Sequence, residues 1–169
     1  VMSEARLSQV SDRVDGLNWK PKEKGTLCFV VKDGKILLIE KKRGLGAGKV
    51  NGPGGRIEKG ETAEQAAIRE TQEEVGITPT GVEWAGELRF QFKDGYSLYC
   101  TVYRASGWSG ELVETEEAKP FWSRTDAIPY ERMWADDVHW MPKFLAGEKF
   151  QGWFEFDHDR MLWFRLEKA

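Results

Sequence analysis

The sequence predicts an α/β domain in which helices pack against a mixed β-sheet. Three observations point there. Short apolar runs with two-residue alternation recur from Thr26 to the C-terminus, the pattern of strands with one covered face. Asp-Gly pairs stand between neighbouring runs at Asp33-Gly34 and Asp94-Gly95, which favours hairpins. Residues 62–75 and 136–146 carry helical patterns instead, and two helices interspersed among hairpin-linked strands imply a mixed sheet with helices on it.

In chain order, residues 1–24 form a polar arm and residues 25–169 the domain. Leu7, Val10, Val14 and Leu17 recur at helical spacing, compatible with a short docked helix or with a frayed terminus. TLCFVV and KILLIE flank Lys32-Asp33-Gly34 as a hairpin, and the stretch from Gly44 to Gly60 is too glycine-rich and polar for a core element. Thr62 with Gln65 three positions on makes a capping box for the first helix, and Gly76 is placed to stop it. VEWAGELRFQF and YSLYCTVYR read as strands joined through Asp94-Gly95, followed by a short strand at 119–123. In the second helix Pro142 limits the start or kinks the axis. FQGWFEF and MLWFRL close the chain as a hairpin around residues 157–160.

Of the 169 residues, 40% are apolar and eight are tryptophan, ample for one packed domain. A net charge of −3 argues against the broad basic footprint that duplex nucleic acid demands. A small polyanion remains compatible, because a metal supplies positive charge locally. Cys28 and Cys100 lie in strand-like runs, where a buried free thiol is the commonest reading; a disulfide between them stays open. No apolar stretch approaches the roughly 20 residues that span a bilayer, and the first residues are too polar for a signal peptide. A cytoplasmic monomer with no membrane or duplex partner is expected.

The chemistry concentrates in the first helix. Arg69, Glu70, Glu73 and Glu74 stand within two turns, and positions three and four apart are neighbours at about 5–6 Å between Cβ atoms. Three carboxylates therefore share one surface, while Ala63, Ala66, Ala67, Thr71 and Val75 occupy the packing side. A solvated acidic face is one reading. A hard divalent cation held by a few carboxylates and substrate phosphates is the other. Gly52-Pro53-Gly54-Gly55 just upstream lets the backbone approach a ligand closely.

The segment GRIEKGETAEQAAIRETQEEVGI resembles the Nudix box. Gly55, Glu61, Arg69, Glu70, Glu73, Glu74, Gly76 and Ile77 match, and Thr71 departs from the usual aliphatic residue. The resemblance implies an α/β/α sandwich and metal-dependent hydrolysis of a diphosphate linkage. It implies Glu70, Glu73 and Glu74 as catalytic metal ligands, with the Gly54 carbonyl beside them and Mg²⁺ as cofactor (Mn²⁺ a substitute). Arg69 and Glu61 would orient the others. A carboxylate from another loop can take the water proton; Glu117 is the candidate and Glu116 its rival.

Flanking segments, KKRGLGAGKVNGPGG and PFWSRTDAIPYERMWADDVHW among them, are similar to the oxidised-purine nucleoside triphosphatases of the family's MutT-homologue branch, including 8-oxo-dGTP diphosphatases. That similarity implies a purine pocket built by Asn51, Trp134, Asp136 and Asp137, lined by Thr26, Leu27, Lys41, Phe90 and Leu98. Plain alternatives exist: Trp134 as core, Asp136 or Asp137 as a helix cap, Asn51 as a turn residue. If both aspartates are partly buried, repulsion and desolvation favour one retaining a proton, so that one donates to a base and the other accepts. Leu45 and Val50 replace aromatic residues of that branch, which implies a softer or wider pocket wall.

The box is shared by enzymes acting on dinucleoside polyphosphates, ADP-ribose, nucleotide sugars and RNA caps, so it does not select the substrate. A non-catalytic nucleotide-binding module is the rival from another class, and the complete carboxylate set speaks against it.

Overall fold

The computed structural model describes residues 13–169. The stripe positions Leu7 and Val10 lie outside these. Of the other two, Val14 is buried while Leu17 is fully exposed, and residues 13–18 form turns rather than a helix. Trp19 Nε1 donates to Gln91 Oε1 at 2.9 Å and the Lys22 amide to Ser97 Oγ at 2.9 Å. Residues 13–22 are thus bound to the body, and the first strand starts at Glu23, before the expected boundary.

That strand, β1 (Glu23–Lys32), turns through Asp33 and Gly34 into β2 (Lys35–Lys41). Both turn residues have positive φ, 54° and 74°, as a two-residue type I′ hairpin requires. Two short strands inside the glycine-rich stretch, β3 (Val50–Asn51) and β4 (Gly54–Arg56), escape sequence reasoning. Helix α1 (Ala63–Val75) has both halves of the predicted capping box, and Gly76 ends it at φ 81°. Then follow β5 (Ile77–Thr80), β6 (Glu83–Phe92), β7 (Ser97–Ala105), β8 (Gly107–Gly110), β9 (Ala118–Arg124), α2 (Asp137–Leu145), β10 (Phe150–Asp157) and β11 (Arg160–Lys168). Pro142 lies inside α2, which runs on through it.

The main sheet has the order β11-β10-β6-β7-β1-β2-β3, with β4 added to β1 and β9 to β2, while β5 and β8 pair separately. It is mixed: β1–β7 and β6–β10 are parallel and the other pairs antiparallel. Beside β1 the sheet divides. Gly25, Thr26 and Leu27 pair with β4, whereas Val31 and Lys32 pair with β2. This split opens a cleft between β1, β2 and the loop carrying β3 and β4.

Each face of the sheet has its own core, as a sandwich demands. On one, α1 lays Ala67 and Val75 against Cys28, Val30, Leu37 and Ile39. Thr71 is fully buried there and donates to the Ala67 carbonyl at 2.7 Å, so the departure from an aliphatic residue is absorbed by a bond within the helix. On the other face, α2 sets Trp140, Met141 and Phe144 against Phe29, Phe150 and Phe154. Cys28 and Cys100 are buried free thiols. No helix among the described residues is long and apolar enough to cross a membrane.

Candidate active site

The cleft leads into a cavity of about 700 Å³, within the usual range for a small-molecule site. Two acidic groups line it: Glu70 and Glu74 of α1, near Gly54, Gly55 and Glu117, at its helix end, and the adjacent Asp136 and Asp137 of α2. Thr26, Leu27, Lys41, Asn51, Phe90, Leu98 and Trp134 also line the walls. Every expected site residue therefore faces this cavity except Glu73, which is exposed and turns to Arg69.

At the helix end, glycines allow the approach. A Cβ on Gly54 would collide with the Thr26 carbonyl, and one on Gly55 with the Glu70 carboxylate. The Gly54 amide donates to Glu74 Oε2 at 3.3 Å. Arg69 gathers the neighbouring acids: Nε donates to Glu61 Oε2 at 2.6 Å and Nη2 to Glu61 Oε1 at 2.9 Å. Its Nη1 reaches Glu70 Oε1 at 2.9 Å and Glu73 Oε2 at 3.1 Å. The guanidinium draws the Glu61 carboxyl down to about 2. Glu70 and Glu74 go the other way because burial disfavours their charge, and Glu74 is pushed up to about 8.

No group of three acidic, histidine or cysteine side chains among the described residues stands converged as a ready-made metal cage. The residues nevertheless fit a divalent ion. Glu74 is a desolvated carboxylate with no ion-pair partner among the described residues, and Mg²⁺ characteristically completes its shell with water and phosphate.

Glu117 sits on the loop before β9. Thr115 anchors that loop by donating from Oγ1 to the Glu74 carbonyl at 2.8 Å and accepting from the Glu117 amide at 3.2 Å. The Glu117 carboxylate is held by Arg43. Glu116 is 90% exposed and outside the cavity lining.

Both aspartates are almost wholly buried, at 2% and 4% exposure. Asp136 occupies the N-cap position of α2 yet makes no capping bond. Its Oδ2 accepts from Trp140 Nε1 at 2.8 Å, while its Oδ1 is buried with no partner. The capping alternative is thereby removed. Burial raises both carboxyls; Asp136 raises Asp137 further by charge and hydrogen bonding, whereas the bonds from Trp140 and Asp137 pull Asp136 back in part.

Trp134 is half-buried, packing against the core while lining the cavity. Its edge packs on Phe92 and Phe156 at 5.9 and 5.5 Å between centroids, and Lys49 Nζ lies 5.3 Å over the ring. Gly46 abuts the indole so closely that a Cβ would fall 2.7 Å from Nε1. Asn51 Oδ1 accepts from the Gly52 amide at 2.9 Å, the turn-like bond foreseen as its alternative. Leu45 lines the cavity, but Val50 is fully buried in the core, so only one of the two departures bears on the wall.

Arg43, Phe92 and Cys100 also line the cavity and were missed. Phe92 and Cys100 follow Phe90 and Leu98 by two residues, and the strand period alone places them on the same face. Arg43 had only its place beside Lys41 as a signal.

Comparison with known proteins agrees with this geometry. The NUDIX domain matches residues 21–144. An oxidized purine nucleoside triphosphate hydrolase from Danio rerio is 43% identical over 146 residues, covering 85% of this chain and 94% of that protein. Its namesake from Mus musculus is 38% identical over the same shares. Among solved structures, a MutT protein from Bacillus halodurans superposes with a TM-score of 0.76 at 29% identity, covering 86% of this chain and 97% of that one. A cavity with a carboxylate-bearing helix at one end, inside a domain matched over most of its length, belongs to a hydrolase: the chain is a member of the Nudix family.

Proposed function

We propose that this enzyme hydrolyses oxidised or otherwise modified purine nucleoside triphosphates, such as 8-oxo-dGTP or 2-hydroxy-dATP, to the monophosphate and pyrophosphate. Its role is to clear damaged nucleotides from the cytoplasmic pool. The observation that carries this reading is the buried Asp136–Asp137 pair lining the same cavity as Glu70 and Glu74. A protonated carboxyl donates and its ionised neighbour accepts, which suits the edge of a purine carrying an added oxygen. The names of the zebrafish and mouse relatives support the same substrate class. All the residues invoked come from one chain, so a monomer suffices.

Glu70 and Glu74, with Gly54 beside them and Glu73 swinging in from Arg69, would hold Mg²⁺, with Mn²⁺ as a substitute. When bound, such an ion neutralises phosphate charge and makes water more acidic. Lys41 faces the same cavity and would meet the phosphates. Glu117 takes the proton of the attacking water as its oxygen adds to phosphorus and the phosphoanhydride bond breaks. Asn51, Trp134, Asp136 and Asp137 hold the base, with Thr26, Leu27, Phe90 and Leu98 excluding water around it.

A turnover series with Mg²⁺ tests this: oxidised, methylated and unmodified purine triphosphates, ADP-ribose and dinucleoside polyphosphates, compared by kcat/KM and by product. Preference for an oxidised purine with release of pyrophosphate is expected. Preference for ADP-ribose would overturn the substrate and leave the family intact.

A further inference from the structure

Arg43 lies in the loop between β2 and β3, on the cavity wall shared with Glu70, Glu74 and Glu117. Its Nε donates to Glu117 Oε1 at 2.7 Å, Nη2 reaches the same oxygen, and Nη1 stands 3.7 Å from Glu116. The backbone of Glu117 is fixed independently of this pair: its amide bonds Thr115 Oγ1 and its carbonyl accepts from the Lys42 amide at 3.0 Å. What Arg43 sets is therefore the direction of the carboxylate alone. The two side chains are 58% and 46% exposed, and an ion pair so open to water adds little to stability. Its location is the informative part, because a substrate triphosphate offers the same guanidinium stronger, multiply charged oxygen acceptors within the same cavity.

We propose that Arg43 is a positioning residue that holds Glu117 in the free enzyme and transfers to the substrate phosphates on binding, releasing the carboxylate to face water. This rests on Glu117 being the general base. In the free enzyme Arg43 Nε and Nη2 both occupy Glu117 Oε1, so the base is restrained until a polyanion competes for the fork. Arginine suits this role because its planar fork is held by geometry as well as charge, whereas a lysine at this place would supply charge alone.

Steady-state kinetics on Arg43→Ala, Arg43→Lys, Glu117→Gln and the double variant Arg43→Ala/Glu117→Gln, with an oxidised purine triphosphate and Mg²⁺, tests the inference. Arg43→Ala is expected to raise KM about tenfold through loss of a charge-assisted phosphate contact, with a smaller effect on kcat, because Glu117 is already released in the complex. Arg43→Lys should restore KM only in part, since it supplies charge without the fork. In the Glu117→Gln background, Arg43→Ala should leave kcat unchanged while still raising KM. Unchanged kcat and KM in Arg43→Ala, with Glu117→Gln slow, would overturn the role of Arg43 and leave the base assignment standing. A full drop in kcat on adding Arg43→Ala to Glu117→Gln would show that Arg43 acts without Glu117. A fully active Glu117→Gln would remove the base assignment and the inference with it. Thermal melts should be the same for all four variants, since neither side chain is buried.

Discussion

The two acidic groups lining the cavity hold their charge by opposite means. On α1, Arg69 binds Glu61 through two bonds and touches Glu70 and Glu73, so cationic groups balance the carboxylates and Glu74 is left for a metal. At Asp136 and Asp137 no arginine or lysine among the described residues pairs with the carboxyls; they are buried against Trp140, and burial raises both. Under the proposed function, one group would meet phosphate, which needs positive charge, and the other a base edge, which needs a donor beside an acceptor. A cation at the aspartates would ionise both, whereas Glu74, which burial pushes up to about 8, must lose its proton to serve as a ligand.

The largest effect should come from the α1 carboxylates. Glu74→Gln keeps the bond from the Gly54 amide and removes the charge, so kcat should fall by about 10²–10⁴-fold. Pyrophosphate release at saturating Mg²⁺ measures it, and near-normal turnover would dissociate Glu74 from the reaction. Calorimetric titration with Mn²⁺ should show weakened binding in the same variant.

The two aspartates should differ from each other. Asp136 already accepts from Trp140, so it is the natural anion and Asp137 the proton carrier. Asp137→Asn retains a donor and should change kcat/KM modestly, whereas Asp136→Asn should lose about tenfold or more, as when a buried acceptor is lost, with altered preference among modified purines. Equal losses across all substrates would break the division of roles.

The pair also fixes a stability trend. Its folded pKa lies above the unfolded one, so the native state binds the extra proton. Stability therefore declines as pH rises from about 4, the ordinary aspartate value, through the folded pKa, and Asp137→Asn should flatten that decline. Glu61 has the opposite sign. With its pKa lowered to about 2, its contribution is present above the unfolded value and disappears as pH falls toward 2. Arg69→Lys should remove that acid limb without restoring the fork. Thermal melts across pH read both trends, and the same slope in both variants would erase the contrast between the two groups.

The smallest expected change probes the cavity wall. Gly46 has φ 82° and its missing Cβ makes room for Trp134. Gly46→Ala should move the indole and raise KM a few-fold for purine substrates, roughly 1 kcal/mol or less of binding, while leaving Mn²⁺ titration unchanged.

Much of this was legible in the residues. Thr62, Gln65 and Gly76 act locally, so the bounds of α1 could be read from sequence, and Asp33-Gly34 fixed its hairpin for the same reason. The burial of Asp136 and Asp137 could not be read that way, because it depends on Trp140 and on strands far away in the chain. Nor could the pairing of Arg43 with Glu117, which are brought together only by the antiparallel register of β2 on β9. The short strands β3 and β4 lack apolar alternation and exist because β2 and β1 offer them open edges. Glu73 shares the helix surface with Glu70 and Glu74, yet it stands four residues after Arg69 and pairs with it; helical spacing allows both neighbours, and only the structure shows which one it takes.

Cys100 lines the cavity beside the aspartates, and Cys28 lies on the opposite face of the sheet. Burial pushes the Cys28 thiol up to about 11 and raises Cys100 further, with the nearby aspartates adding to it. Peroxides attack thiolates rather than thiols. Both cysteines are thus held in a form that peroxides attack slowly, and turnover should survive a peroxide exposure that would inactivate an enzyme carrying a thiolate.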